Sequence, residues 1–450
     1  MDKKHATALK FLCITVLVLF GAPKINIKIG PIPLYLIDFL IFLTVYHARK
    51  LPKLSYRIPY KSLVSFILFM ILTNELLNGF RIGTLIQPIY LMVRMSLAVS
   101  LFFVVPKIIK KPEDLTKVLK YGLVGAFITA LLLIFSSLPM TRGISTILLS
   151  NPILMPNADR LGATLAAVGD KSDRGTSLIG VSILSGAFLN VIWPLLFLLL
   201  TFYKPKGILK YVLFASLVLV PIGVIMTYSR GAILAIILVV IGIAIFQKGK
   251  YRSLTVGLLM SVYLSFSYID FDSELFMFDR IINRTTAAIE NPYKNERESE
   301  RIYAYTQPFE HLLKNPLYLF LGEGFARAKV SGTSDLSGGI NRADHAVFAK
   351  AYYAYGLITS FLIVFLFFLL ANYTFKVVRK TSNSKLFSAK LTRLLFVLLV
   401  GFSSWFAFGH AAVSNPRGTM LMFFVFGLVA SQRNFYLFEQ QTNSKTHNSQ

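Results

Sequence analysis

The sequence predicts an all-α polytopic membrane protein of about twelve transmembrane helices, with a large outer loop that itself carries helices. Composition is the first observation behind this fold class, because 55% of the residues are hydrophobic and the mean hydropathy is +0.62. The second is that these residues form blocks long enough to cross a bilayer, which takes about 20 residues per helix. The third is the placement of Lys and Arg, which alternates from loop to loop. Because lipid offers backbone groups no hydrogen-bond partners, apolar runs of this length must be helical.

The predicted spans follow the apolar blocks in chain order. They lie at about 8–22, 32–48, 62–78, 85–105, 118–138, 177–202, 211–227, 232–246, 253–269, 347–375, 394–412 and 418–431. The chain then divides into six parts: helices one to five in 1–138, an outer loop in 139–176, helices six to nine in 177–269, a large outer loop in 270–346, helices ten to twelve in 347–431 and a polar cytoplasmic tail in 432–450.

The basic residues predict the orientation of these spans. With the N-terminus inside, the inner loops and the two termini hold 27 of the 47 Lys and Arg residues, whereas the four short outer loops hold five. This asymmetry satisfies the positive-inside rule and predicts that both termini are cytoplasmic.

Composition and motifs exclude several classes of function. Cys13 is the one cysteine, so the chain has neither a disulfide framework nor a thiolate metal site. The net charge of +26 follows the topology and forms no basic groove, so no nucleic-acid partner is expected. No nucleotide-binding loop and no HExxH pair occurs, which argues against an ATP-driven pump or a membrane zinc protease. No acidic pair is placed to hold a divalent metal, and we expect neither a metal nor a cofactor.

The large outer loop is too long and too varied in composition to be a simple connection. Residues 270–346 hold 12 of the 21 acidic residues together with nine Lys or Arg. Within "ERIYAYTQPFEHLLKN", apolar residues recur at helical spacing, at Ile302, Tyr305, Phe309, Leu312 and Leu313. This stripe predicts an amphipathic helix that lies on the outer face.

Four arginines outside the membrane form the first candidate site. Arg230 in "TYSRGAIL" stands where the eighth span begins, so backbone donors and the helix dipole add to its charge, and Gly231 permits close backbone approach. Arg174, Arg301 and Arg417 are also predicted to lie outside. Together they could bind a phosphate or diphosphate bidentately. The alternative is that Arg230 snorkels as a topology anchor and that the others are solvated charges.

The second candidate site is the stretch "ADHAVFAKAYYAYGLIT". If a helix begins near Asp344, then His345 lies in its first turn and Gly356 lies on nearly the same face three turns deeper. The ordinary pKa of a histidine, about 6.5, suits a general base. Asp344 could orient the imidazole or merely cap the helix. His345 could also be an interfacial anchor, and His311 and His410 are rival histidines.

The stretches "TYSRG", "SERIYAYTQPFEHLLKNPLYLFLGEGF" and "DHAVFAKAYYAYGLITS", with the order of short and long loops, resemble the O-antigen ligase and O-antigen polymerase superfamily of bacterial inner-membrane glycosyltransferases. The family pattern is His, then Asn, Ser or Gln, nine residues, Gly, two residues, and Gly, Thr or Tyr. Here His345, Gly356 and Thr359 match this spacing, and Ala346 departs from the polar residue of the pattern.

The resemblance implies roles for the candidate residues. Arg230 resembles the phosphate-binding arginine of the family, Arg301 the second arginine and His345 the catalytic base, while Arg174 and Arg417 are similar to further outer arginines. The implied reaction is inverting and metal-independent, with the arginines stabilising the departing diphosphate. Glu300 and Glu323 are reserve bases.

The resemblance also implies the partners and the location. The donor would be a glycan on undecaprenyl diphosphate, surrounded by membrane lipids, and the active site would face the periplasm. A ligase would transfer the glycan to lipid A-core, whereas a polymerase would transfer it to a second lipid-linked glycan. A flippase or exporter is the alternative from another class, and it predicts ionisable residues deep in several spans, of which Asp38, Glu75 and Arg94 are the main examples.

Overall fold

The computed structural model describes part of the 450-residue chain. The described residues are 2–22, 25–29, 32–83, 85–138, 141, 177–179, 182–203, 205–227, 229–247, 252–253, 255–257, 309–310, 312–322, 324, 347–381, 386–408 and 416–447. The two predicted outer loops therefore lie mostly outside the described residues.

Eleven helices of at least 14 residues make up most of the described part. They are α1 (Lys3–Gly21), α2 (Leu36–Arg49), α3 (Lys61–Ile82), α4 (Ile86–Ile108), α5 (Pro112–Ser137), α6 (Ser182–Phe202), α7 (Ile208–Ile225), α8 (Arg230–Phe246), α9 (Val347–Lys380), α10 (Phe387–Phe408) and α11 (Pro416–His447). Each overlaps a predicted span, and the ninth predicted span, 253–269, lies largely outside the described residues.

Seven of these helices are long and apolar enough to cross a membrane by length and composition, namely α1, α3, α4, α5, α7, α9 and α11. Shorter apolar stretches lie in α6 and α8. The structure thus confirms a helical chain with several candidate spans, whereas the total of twelve and the division into six parts remain predictions.

A short β-hairpin before α2 departs from the all-helical expectation. Its strands β1 (Asn26–Ile29) and β2 (Ile32–Tyr35) pair antiparallel, with the first residue of β1 opposite the last residue of β2. The prediction of a helix from residue 32 is wrong, because α2 begins only at Leu36. The sequence explains the difference, since Pro31 and Pro33 favour extended backbone at the residues before them.

Glycines allow the closest helix crossings in the bundle. A Cβ on Gly21 of α1 would lie 2.4 Å from the Cα of Gly125 in α5. A Cβ on Gly427 of α11 would lie 2.8 Å from the carbonyl oxygen of Leu101 in α4. Small residues at crossings are typical of membrane bundles, where close backbone approach replaces the hydrophobic drive available in water.

Hydrogen bonds between helices fix which helix ends lie together. They run from Thr129 to the carbonyl of Phe20 (2.6 Å), from Ser137 to that of Met226 (3.4 Å) and from Asn190 to that of Ala232 (2.8 Å). The last turns of α1, α5 and α7 and the first turns of α6 and α8 therefore share one end of the bundle. We call it the loop end, because the long loop 139–176 connects α5 and α6 there.

One expectation about α9 is wrong. The backbone of Gly356 has φ +82° and ψ 170°, which breaks α9 into the segments 347–355 and 357–380. Gly356 therefore does not continue the helical face on which His345 was predicted to lie. The apolar pattern of "AYYAYGLIT" runs unchanged through the break, so periodicity alone gives no sign of it.

Candidate functional site

The predicted site residues divide into two groups. The structure describes the side chain of Arg417, the glycines Gly231 and Gly356, and the backbone of Arg230. The others lie outside the described residues: His345, Asp344, Arg301, Arg174, Glu300, Glu323, His311 and His410. Their roles remain predictions, and the geometry below belongs to the helix ends that flank them.

The first turn of α8 is fixed tightly in place. Ser229 is its N-cap, and the Ser229 hydroxyl accepts a hydrogen bond from the backbone N–H of Ala232 at 3.4 Å. Asn190 of α6 donates to the carbonyl of Ala232, and a Cβ on Gly186 of α6 would lie 2.8 Å from the Ala232 Cβ. The backbone of Arg230 thus starts a helix, and the positive end of the helix dipole at this turn favours an anion.

Residues 320–322 and 324 of the large loop pack on the break at Gly356, by the contacts of Phe320, Gly322 and Gly324. A Cβ on Gly356 would lie 2.8 Å from the carbonyl carbon of Phe320, and a Cβ on Gly322 would lie 2.3 Å from that of Ala354. The N–H of Gly324 donates to the Ala354 carbonyl at 3.1 Å. The backbone of the large loop therefore packs directly against the backbone of α9, at a distance that only glycine allows. The N–H of Gly324 binds the Ala354 carbonyl, which the break leaves without a partner in the helix.

Two asparagines of α3 complete this contact. The Asn74 amide donates to the carbonyls of Tyr355 (2.9 Å) and Phe320 (3.3 Å). The Asn78 amide donates to the carbonyl of Gly322 at 3.1 Å. Both asparagines are buried. We call the residues 320–322, 324 and 354–356, with these asparagines, the Gly356 junction.

Sequence reasoning missed Asn74 and Asn78. They stand four residues apart in an apolar span, so they share one helix face. Polar residues on one face of a span usually face protein rather than lipid. That spacing was the available signal, although the partner carbonyls could not be identified from it.

Further polar groups line the junction. Tyr352, Tyr355 and Thr359 of α9 are fully buried, and none of their hydroxyls has a hydrogen-bond partner within the described part of the chain. Glu75, next to Asn74, is fully buried as well. The junction is therefore one of the polar regions buried in the bundle.

Arg417 lies at the start of α11, buried at the loop end. Its guanidinium donates to the carbonyls of Ala22 (2.8 Å) and Val18 (3.2 Å), and more distantly to that of Ile179 (3.5 Å). The last carbonyls of a helix lack partners within the helix, so Arg417 caps the C-terminus of α1. A diphosphate-binding role for Arg417 remains a prediction.

A buried ion pair lies near Arg417. The Nε of Arg94 in α4 is 2.8 Å from the Oδ2 of Asp38 in α2, and the Arg94 guanidinium lies 4.4 Å from the centre of the Tyr35 ring. Both charges are close enough to Arg417 to interact with it electrostatically. Two guanidinium groups and one carboxylate give this cluster a net positive charge.

The described ranges contain no candidate metal site. Within them, no three His, Cys, Asp or Glu side chains come together. The expectation of a metal-free reaction stays a prediction, because the large loop lies mostly outside these ranges.

Comparison with known proteins bears on the segment that contains the junction. The family model described as O-antigen ligase matches residues 215–364. This range includes the start of α8, the large loop and the break in α9, but neither Arg174 nor Arg417. No curated protein matches the chain. Together with the apolar helices, the match indicates a multi-pass membrane protein, and over residues 215–364 it confirms the resemblance to the O-antigen ligase and polymerase superfamily.

Proposed function

We propose that this chain is an inverting, metal-independent glycosyltransferase. It moves a glycan from undecaprenyl diphosphate to an acceptor hydroxyl at the periplasmic face of the bacterial inner membrane, as an O-antigen ligase whose acceptor is lipid A-core. The observation that carries the proposal is the family match over residues 215–364, because that range holds Arg230, Arg301 and His345 in one segment.

The arginines bind the diphosphate of the donor. Arg230 does so from the first turn of α8, where the positive end of the helix dipole adds to its charge. Arg301 and Arg174 complete the direct contacts in this proposal. Arg417 contributes chiefly through its positive charge, since its N–H groups already bind the carbonyls of α1.

His345 is the general base. It takes the proton as the acceptor O–H bond breaks and the acceptor oxygen bonds to the anomeric carbon. The bond from that carbon to the diphosphate oxygen breaks, and undecaprenyl diphosphate leaves with the bonding electrons, stabilised by the arginines. A single displacement inverts the configuration. Asp344 orients the imidazole, and Glu300 and Glu323 are the reserve bases.

The Gly356 junction supports this arrangement. Because the break separates 347–355 from the rest of α9, the junction rather than the membrane span sets the direction of residues 347–355, which follow His345 in sequence. The same contact holds residues 320–322 and 324 of the large loop, which follow Arg301 in sequence, against α3 and α9.

Reconstitution tests the proposal. Purified protein is incubated with undecaprenyl-diphosphate-linked glycan, lipid A-core and EDTA, and transfer is compared among the wild type, His345→Ala and Arg230→Ala. We expect transfer to survive EDTA and to fall at least about a hundredfold in both variants. Arg57→Ala, at an exposed site of an inner loop, and His447→Ala, in the polar tail, are the matched controls. Wild-type transfer by His345→Ala would refute the assignment of the base.

A polymerase of the same superfamily is the second candidate. Ala346 favours it, because a small apolar residue replaces the polar residue of the family pattern. The acceptor would then be a second lipid-linked glycan. Deletion in the source bacterium separates the two, since loss of a polymerase leaves single repeats on lipid A-core and loss of a ligase leaves none.

A further inference from the structure

Residues 309–310 and 312–320 of the large loop carry apolar side chains on two sides, and we call them the loop segment. One side packs on α9, where Leu312, Tyr318 and Leu319 meet Tyr352 and Tyr353. The other side is exposed, with accessible fractions of 46% for Phe309, 85% for Leu313, 66% for Leu317 and 54% for Phe320. An exposed apolar side of this size on a segment that also packs on the protein is typical of an element lying at a membrane surface.

The break in α9 sets the depth of the loop segment. The helix after Gly356 runs to Lys380, and its 24 residues extend about 36 Å at 1.5 Å per residue, enough for a hydrocarbon core of about 30 Å. The helix after Gly356 can therefore cross the hydrocarbon core without residues 347–355, which places the junction at the membrane boundary in our proposal.

The exposed side continues the lipid-facing side of α9. Phe361, Phe365 and Phe368 are more than half exposed and recur at helical spacing in a candidate membrane span. The Phe348 ring lies 5.1 Å from that of Phe361 and 6.5 Å from that of Phe309. One apolar surface thus extends from the span to the loop segment.

The loop segment is also held firmly at this position. Asn74 binds the carbonyl of Phe320, and Asn78 binds that of Gly322. Both donors belong to α3, a candidate membrane span. The exposed apolar side chains therefore cannot turn away from the boundary without breaking these bonds.

We propose that the loop segment is embedded in the membrane leaflet at the loop end, with Phe309, Leu313, Leu317 and Phe320 in contact with lipid acyl chains. Glu310 and Lys314 are exposed on the same segment and reach the headgroups from there. The partner is the lipid surface itself, and the inference does not depend on the proposed reaction.

Spin labelling in vesicles tests this inference. In a full-length Cys13→Ala background, Leu313→Cys and Leu317→Cys each receive a nitroxide, and the protein is reconstituted into phosphatidylcholine–phosphatidylglycerol vesicles. Power saturation then compares collisions with oxygen, which concentrates in lipid, and with a nickel chelate present on both sides of the vesicles. We expect oxygen accessibility to exceed that of the chelate at both positions.

Two control positions calibrate the measurement. Phe365→Cys reports the lipid-facing side of α9, and Arg57→Cys reports an exposed inner loop. Labels at 313 and 317 that behave like the label at 57 would place the loop segment in water and overturn the proposal. Protection from both reagents would overturn it as well, because a protein partner would then cover this surface. The two labelled positions are the most exposed apolar sites of the segment, so their substitution leaves the packed side intact.

Discussion

At the scale of single residues, the amides of Asn74 and Asn78 hold three chain segments together. The Asn74 amide donates to the carbonyl of Tyr355 at the break in α9 and to that of Phe320 in the large loop. The Asn78 amide donates to the carbonyl of Gly322 in the large loop. A buried carbonyl without a partner is destabilising by about 1–3 kcal/mol. These asparagines therefore stabilise an arrangement that the backbone alone would not keep.

Asn74→Ala is expected to lower both stability and transfer. Loss of the bonds to Tyr355 and Phe320 should reduce the free energy of unfolding by about 2–4 kcal/mol. Because the junction sets the direction of residues 347–355, which follow His345 in sequence, we also expect transfer to fall at least about tenfold, with the loss in kcat. Thermal unfolding in detergent and steady-state transfer kinetics measure the two effects.

Asn434→Ala is the matched control for this prediction. The Asn434 amide also donates to two backbone carbonyls, those of Pro106 (2.6 Å) and Ile109 (2.8 Å), but at the opposite end of the bundle. We expect a similar loss of stability with transfer largely retained. If both variants lost transfer in proportion to their stability, Asn74 would have a structural role alone.

Two substitutions of Arg417 are expected to separate the effect of its positive charge from that of its hydrogen-bond geometry. Arg417→Lys keeps the charge but loses the planar donor set that reaches Ala22 and Val18, so stability should fall by about 1.5–3 kcal/mol while the donor KM changes little. Arg417→Met also loses the charge, and we expect the donor KM to rise by roughly threefold to tenfold. A large KM increase in the lysine variant would instead indicate direct bidentate binding of the diphosphate.

The chemical type of the site residues could be predicted from the sequence, whereas most of their contacts could not. Arg417 was predicted to be an outer arginine, but its two shortest hydrogen bonds go to carbonyls at the end of α1, almost 400 positions earlier. Gly356 was expected to allow tight packing beneath His345, and that role stays a prediction. The structure shows a separate requirement for glycine there, in its positive φ and its contact with the backbone of Phe320.

At the scale of elements, the break in α9 predicts a specific effect of Gly356→Ala. The substitution adds strain at φ +82° and drives a Cβ into the backbone of Phe320, so we expect at least about 3 kcal/mol of destabilisation. Exposure of the loop segment to protease should rise. Limited proteolysis and thermal unfolding check this.

Gly207→Ala provides the comparison. Gly207 also has positive φ, at +59°, but a Cβ there would meet nothing within 4 Å. Strain without steric conflict should lower stability by about 1 kcal/mol and leave the loop segment protected. Equal effects of the two substitutions would mean that backbone strain alone, and not the packing of the loop, makes glycine necessary at position 356.

Element boundaries show where sequence reasoning fails. The break in α9 and the second strand of the hairpin, 32–35, both lie inside apolar stretches, so hydropathy assigns them to continuous spans. Hydropathy measures the medium around a segment and carries no information on backbone direction. Pro31 and Pro33 were a local signal for the hairpin, whereas the break depends on a loop that is distant in sequence.

At the scale of the whole molecule, the fold class was the most predictable feature. Length and apolarity of the blocks follow directly from the thickness of a bilayer, so each of the eleven described helices overlaps a predicted span. The arrangement of those helices depends on glycine crossings and on hydrogen bonds between distant carbonyls. Neither leaves a periodic trace in one sequence.

The Asp38–Arg94 pair tests the transporter alternative. A flippase predicts that buried charges line a path, whereas the structure has Arg94 2.8 Å from Asp38 and stacked near Tyr35, as in a structural pair that joins α2 and α4. Asp38→Asn alone leaves a buried arginine without its counter-ion and should be destabilising by about 3–5 kcal/mol. The double variant Asp38→Leu with Arg94→Met removes both charges and should regain most of that loss.

Glycan transfer by the double variant then decides between the two classes of protein. A transferase whose reacting groups are His345 and the outer arginines should keep at least about half of its activity once stability is restored, because neither charge takes part in the reaction. A transporter that moves its cargo past these charges should lose function in the double variant as fully as in Asp38→Asn. The measurement compares reconstituted transfer with movement of a fluorescent lipid-linked glycan across vesicles, since loss of movement with transfer intact would assign the pair to a translocation path.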